Sequence, residues 1–212
     1  NEEVSFETTF KTKKKYFIPV ECNCKCFQKN QEIYGICTSR NISERKRTEQ
    51  EIHFLTFHDY LTKLYNRSFL EKELERLDAE KQFPLSIIMV DMNGMKLVND
   101  AFGHFTGDKL LISLANILKE NCRQGDIIAR WGGDEFVILL PFTSTEDAYQ
   151  LVNRLKLASN NSFCETIPLS FSIGMATKTN VEQNIYQILQ QAEDNMYKEK
   201  FKIDKISRSE II

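Results

Sequence analysis

Apolar residues recur along this chain with two spacings, and the change from one to the other marks its organisation. In the front stretch the spacing is two. Val4 and Phe6 alternate and Phe10 follows, Cys22, Cys24 and Cys26 alternate, and Ile33-Tyr34-Gly35-Ile36-Cys37 closes the stretch. Alternation puts such residues on one face of a strand, so strands are expected at Val4–Phe10, Tyr16–Phe27 and Glu32–Ser39. Lys11-Thr12-Lys13-Lys14-Lys15 reads as a solvated hairpin turn between the first two. Three strands sit at the lower limit of independent stability. Asn41–His58 is charged along most of its length, with Ile42, Ile52 and Leu55 as apolar punctuation. It reads as an exposed helix, either a solvated linker or one strand of a short parallel coiled coil.

From Asp59 the pattern becomes mixed. Helical spacing over Arg67–Lys81 puts Phe69, Leu70, Leu74 and Leu77 on one face, and Gly107–Cys122 does the same with Leu110, Leu111, Leu114, Ile117 and Leu118. Further helices are expected at Thr145–Ala158 and Val181–Lys200. The short apolar runs Leu85–Val90, Ile127–Trp131, Phe136–Leu140 and Leu169–Met175 read as buried strands. Helices and strands in this order give an α+β or α/β domain, a central sheet covered by helices.

Length and charge narrow the picture. The chain has 212 residues, room for one or two compact domains. Its net charge of −2 carries no basic excess, which argues against nucleic acid or a membrane surface as a broad partner. No apolar run approaches the ~20 residues that span a bilayer. The polar opening Asn1–Lys15 is no signal peptide, and a first residue other than Met suggests a piece of a longer protein, whose remainder could carry a membrane anchor. Cys22, Cys24 and Cys26 lack the second ligand pair of a zinc site, so buried, reduced, structural thiols are expected here and a cytoplasmic location with them.

Two acidic sites at strand ends carry the chemistry. Gly132-Gly133-Asp134-Glu135 lies between two apolar strands, where the glycines permit positive φ and leave room for a ligand against the backbone. Asp134 and Glu135, being consecutive, cannot both enter one pocket unless the turn is irregular. Asp91-Met92-Asn93-Gly94 ends the strand Leu85–Val90. Each site alone is equally an ordinary turn. If the two strands are neighbours, Asp91 and Asp134 can share a divalent ion, since Mg²⁺ takes one or two carboxylates plus substrate phosphates.

Gly132-Gly133-Asp134-Glu135-Phe136 resembles the signature of the GGDEF family of diguanylate cyclases. Asp91-Met92-Asn93-Gly94-Met95-Lys96, Asn99-Asp100, Gly103-His104 and Gly107-Asp108 resemble that family's nucleotide-binding stretch, and Asp59-Tyr60-Leu61-Thr62 its opening motif. The resemblance implies an α+β fold with a mixed or antiparallel central sheet, like nucleotidyl cyclases and polymerase palms. It implies GTP as substrate, cyclic di-GMP as product, and Mg²⁺ (or Mn²⁺) held by Asp91, the Met92 carbonyl and Asp134. Asn99 and Asp108 would then bind guanine, and Lys96 and Lys200 the triphosphate. His104, Gly132 and Gly133 would also line the substrate site. Glu135, or Asp134 itself, would help deprotonate the attacking hydroxyl. Arg123-Gln124-Gly125-Asp126 resembles the family's inhibitory site for cyclic di-GMP, at the usual distance before Gly132, and the alternative is an ordinary helix-to-strand turn with a local ion pair.

The chain departs from the family pattern at Asp204, which stands where an Arg usually meets the triphosphate; Lys202 or Lys205 could compensate. Pro19-Val20-Glu21, Gly35 and Arg40–Lys46 resemble the closing part of a PAS sensor domain. The expected organisation is a PAS remnant over 1–41, a linker helix over 42–58 and a GGDEF domain over 59–206, active as a homodimer. The rival reading is a catalytically weak module that binds GTP or cyclic di-GMP to regulate something else.

Overall fold

The alternating front stretch forms three antiparallel strands in a computed structural model of the chain: β1 (Glu2–Lys11), β2 (Phe17–Lys29) and β3 (Glu32–Asn41). The structure describes residues 2–29, 32–160 and 162–209, with side chains over 3–28, 32–52, 54–160 and 162–203. It divides into two units, Asn1–Thr56 and Phe57–Ile212. In the first, Val4 faces Cys24 and Cys24 faces Cys37 across the ladder, so the alternating residues do share one face. The expectation of three buried, reduced cysteines is corrected. Cys24 and Cys37 form a disulfide with Cα atoms 4.1 Å apart, Cys26 is exposed, and of the three alternating cysteines Cys22 alone is buried. Register decides this: Cys37 lands directly opposite Cys24, and the face stays open around Val4 and Phe6. Helix α1 (Ser43–Phe57) follows, its first N–H held by the Asn41 side chain at 2.9 Å.

The second unit is built on a five-stranded sheet, in the order β10 (Phe171–Lys178), β5 (Leu85–Met92), β7 (Glu135–Leu140), β6 (Ile127–Gly132) and β4 (Tyr65–Asn66). The β4–β6 pair is parallel and the others are antiparallel, so the sheet is mixed. One face packs on α4 (His104–Asn121) and α5 (Thr145–Asn160), through Val90, Phe136 and Ile138 against Leu114, Leu118 and Leu155. The other packs on α2 (Arg67–Ala79) and α6 (Ile185–Ser209), through Ile87, Met89 and Val137 against Leu74, Ile188 and Met196. All eight residues of β5 are buried, which is why its sequence is apolar without alternation. Each fully buried Leu, Ile or Val contributes about 1.5–3 kcal/mol relative to exposure. Gly174 lets α6 lie directly on β10, since a Cβ there would stand 2.1 Å from the Met196 nitrogen.

Several short elements join those expected: β4, α3 (Met95–Phe102), β8 (Phe163–Cys164) and β9 (Ile167–Pro168). Helix α6 begins at Ile185 instead of Val181 because Asn184 caps it, accepting from the Tyr186 N–H at 2.9 Å. Among the described residues no helix is long and apolar enough to cross a membrane.

Candidate active site

The turn joining β6 to β7 is held from one side by an arginine. Arg130 donates to the Gly133 carbonyl through Nε at 3.0 Å and Nη2 at 2.7 Å, and through Nη1 to both Asp59 carboxylate oxygens at 3.3 Å. The ladder slips between Arg130 and Gly132, yet Asp134 lines the cleft beside this turn and Glu135 does not, so the two consecutive carboxylates still diverge. Of the two glycines Gly133 alone takes positive φ, at +45°, and a Cβ on either would meet nothing within 4 Å. The tip therefore has open space above it. Sequence reasoning gave Arg130 and Asp59 no role. An Arg two residues before a Gly-Gly turn was the available signal; its partner lies 71 positions away.

On the α3–α4 side of the tip lies a cleft of about 430 Å³. Lys96, Asn99, His104, Asp108, Gly133 and Asp134 line it, above Met95 and Leu111. Gly94, at φ +72°, turns the chain out of β5 into α3, and that turn brings Lys96 and Asn99 to the same cleft as the hairpin tip. The Asn99 Oδ1 is buried and has no hydrogen-bond partner among the described residues. An acceptor left so in a cleft wall suits a ligand edge that carries N–H donors.

Asp91 and Glu135 face each other across the β5–β7 ladder on the sheet's other side, toward α6. Strands β5 and β7 are neighbours, the condition for Asp91 and Asp134 to share an ion, and the Asp134 carbonyl accepts from the Met92 N–H at 3.1 Å. Lys200, expected at a triphosphate, donates to Asp91 Oδ1 at 2.6 Å, and Asp91 is buried. Burial pushes the Glu135 carboxyl above its usual range; Asp91, Glu193 and Asp134 add to the shift, while Lys200 partly offsets it. Burial works against the Lys200 charge too, but the Asp91 hydrogen bond and neighbouring negative charges outweigh it and raise its pKa. Gly132, Glu135, Lys200, Asp91 and Met92 thus lie outside the lining of the cleft. The Asp204 and Lys205 side chains lie outside the described residues.

Among the described residues no three of His, Cys, Asp and Glu stand close enough to cage a metal. The donors at the strand ends nevertheless suit Mg²⁺, which binds through one or two carboxylates and takes its other ligands from water and phosphate. Crowded carboxylates that Lys200 only partly offsets form an environment that a divalent cation relieves.

Arg123 and Asp126 occupy the turn between α4 and β6. Asp126 accepts from the Arg123 N–H and Nε, both at 2.9 Å, and Arg123 Nη2 donates to the Pro141 carbonyl and the Thr143 hydroxyl. The local ion pair is therefore formed. Beside it runs a smaller cleft of about 130 Å³, to which α5 adds Arg154, a residue the sequence gave no reason to single out. Burial first, then Asp126, pushes the Cys122 thiol up to about 12, which disfavours the thiolate.

The family model described as "Diguanylate cyclase, GGDEF domain" matches residues 56–204. The chain belongs to the GGDEF family. It is 31% identical over 179 residues to diguanylate cyclase DgcM of Escherichia coli (strain K12), across 80% of this chain and 43% of that protein. It is 35% identical over 159 residues to MucR of Pseudomonas aeruginosa, named a bifunctional diguanylate cyclase/cyclic di-GMP phosphodiesterase, across 71% and 23%. This GGDEF chain thus spans less than half of either relative. Among solved structures, the GGDEF domain of PA1120 (TpbB or YfiN) from P. aeruginosa superposes with a TM-score of 0.61 at 33% identity, covering 68% of this chain and 89% of that one. Diguanylate cyclase SiaD, solved with its activator SiaC, gives 0.65 at 26% identity, covering 76% and 66%. The α+β fold with its mixed, helix-covered sheet is the GGDEF fold.

Proposed function

We propose that residues 59–206 are a Mg²⁺-dependent diguanylate cyclase, condensing two GTP into cyclic di-GMP with release of two pyrophosphates. The observation that carries this reading is the cleft in which the unpartnered Asn99 oxygen and Asp108 stand beside the Gly133–Asp134 tip. Asn99 and Asp108 accept from the N–H edge of guanine; adenine, which offers an acceptor there, would leave them unmatched. Lys96 and His104 flank the path from base to phosphates, and Lys200 meets the triphosphate when Asp91 releases it. Asp91, the Met92 carbonyl and Asp134 would hold Mg²⁺ or Mn²⁺, which when bound neutralises phosphate charge. Gly132 and Gly133 keep the tip clear for the substrate. The raised pKa of Glu135 suits a group that takes a proton from the 3′-hydroxyl. Positioning and charge stabilisation supply the rest.

The front unit is proposed as the end of a PAS sensor, with α1 as a linker that pairs in a homodimer. A cytoplasmic location is proposed for the protein, where GTP is at hand. A second reading, a module that binds GTP or cyclic di-GMP without turnover, draws on Asp204, which puts negative charge where the family carries Arg. Asp91→Ala and Asp134→Ala decide between them. Each should abolish cyclic di-GMP formation from GTP and Mg²⁺ while the fold persists. Turnover near that of the unaltered chain in either variant would remove that carboxylate from the site.

A further inference from the structure

Gly107 is a buried glycine near the start of α4. Helical positions disfavour glycine because it gives up the most backbone freedom on ordering. Its presence there has a local cause. A Cβ at 107 would stand 2.1 Å from Asn99 Oδ1, 3.1 Å from Asn99 Cγ and 3.2 Å from Met95 Cε. These nearest atoms all belong to side chains, and two of the three to one amide. The volume that a side chain at 107 would fill is where the Asn99 amide rests. That amide also carries the buried oxygen without a partner.

We propose that Gly107 is a specificity-determining positioning residue, the seat against which the Asn99 amide rests where it lines the cleft. The proposal rests on the reading of Asn99 as a guanine ligand. A methyl group at 107 leaves the backbones of α3 and α4 where they are and acts on the amide, which must retreat by more than 1 Å to reach ordinary contact. A hydrogen bond does not survive a displacement of that size without realignment. Adenine gains nothing from the Asn99 oxygen, so its binding does not register the change.

The test is equilibrium binding of a non-hydrolysable GTP analogue and its ATP counterpart to four proteins: the unaltered chain, Gly107→Ala, Asn99→Ala and the double variant. Gly107→Ala should weaken the GTP analogue about tenfold, the size of one lost hydrogen bond. It should leave the ATP analogue unchanged and add nothing in the Asn99→Ala background. Equal losses for the two nucleotides, a further loss in the double variant, or unchanged GTP affinity beside a weakened Asn99→Ala would overturn the seat. Unaltered GTP binding by Asn99→Ala would instead overturn the guanine reading beneath it. Thermal melting monitors the fold throughout. Should Gly107→Ala not fold, the double variant, with no amide to displace, should fold; if it also fails, Gly107 serves packing alone and the proposal is wrong.

Discussion

Arg130 reaches back across the turn it precedes, and one guanidinium then fixes both the Gly133 carbonyl and the carboxylate of Asp59. Burial pushes the Asp59 carboxyl up. Hydrogen bonds from the Thr62 N–H and hydroxyl, together with Arg130, outweigh it and hold the carboxyl below its ordinary range. A depressed carboxylate contributes stability above its unfolded pKa and loses it as pH falls through the folded one. Asp59→Asn should therefore melt lower than the unaltered chain at pH 7. The gap should close as pH falls below about 3.9, the ordinary aspartate value. Melting curves from pH 7 down to pH 3 check this, and a gap constant across that range would break the link between charge and turn. Such pairs were illegible in the sequence because they depend on tertiary register: Asp59 and Arg130 are 71 residues apart, and Asp91 meets Glu135 through the β5–β7 ladder. The contiguous tip from Gly132 to Phe136 was legible because all its parts are local.

At the scale of elements, what the sequence revealed follows burial. Strands β5 and β7 are enclosed by helices on both faces, so their apolar runs could be read directly, and α2 and α4 bury one stripe each. Helix α3 has eight residues and buries Met95 alone, too little to impose a period. It is nonetheless the element that carries Lys96 and Asn99 to the cleft. Strand β4, two residues long, owes its existence to pairing with β6. The turn after α4 serves two purposes. Arg123 braces Pro141 and Thr143 and also lines the smaller cleft with Asp126 and Arg154. If that cleft is an inhibitory site, cyclic di-GMP should suppress turnover and Arg123→Ala should relieve the suppression. The lost brace should also lower stability by about 1 kcal/mol in urea denaturation, an exposed arginine contributing no more. Suppression that persists in the variant would point to competition at the active site.

The chain joins a front sheet to a GGDEF domain through one helix, and the proposed guanine ligands Asn99 and Asp108 line a single cleft. Each GTP in cyclic di-GMP attacks the other, and the proposed homodimer would set two such sites face to face across a twofold axis. Helix α1 exposes Ile52 and Leu55, three positions apart and so on one side, as a pairing seam would. Charged residues at both positions should shift sedimentation from dimer toward monomer and lower specific activity at equal concentration. Full activity in a demonstrated monomer would exclude pairing as a requirement. The domain's chemistry has a more direct test, which is to incubate the intact chain with GTP and Mg²⁺ and separate the nucleotides. Cyclic di-GMP and pyrophosphate in a one-to-two ratio are predicted, with none formed from ATP. GTP that binds yet is recovered unchanged would contradict a cyclase and leave a binding module in its place.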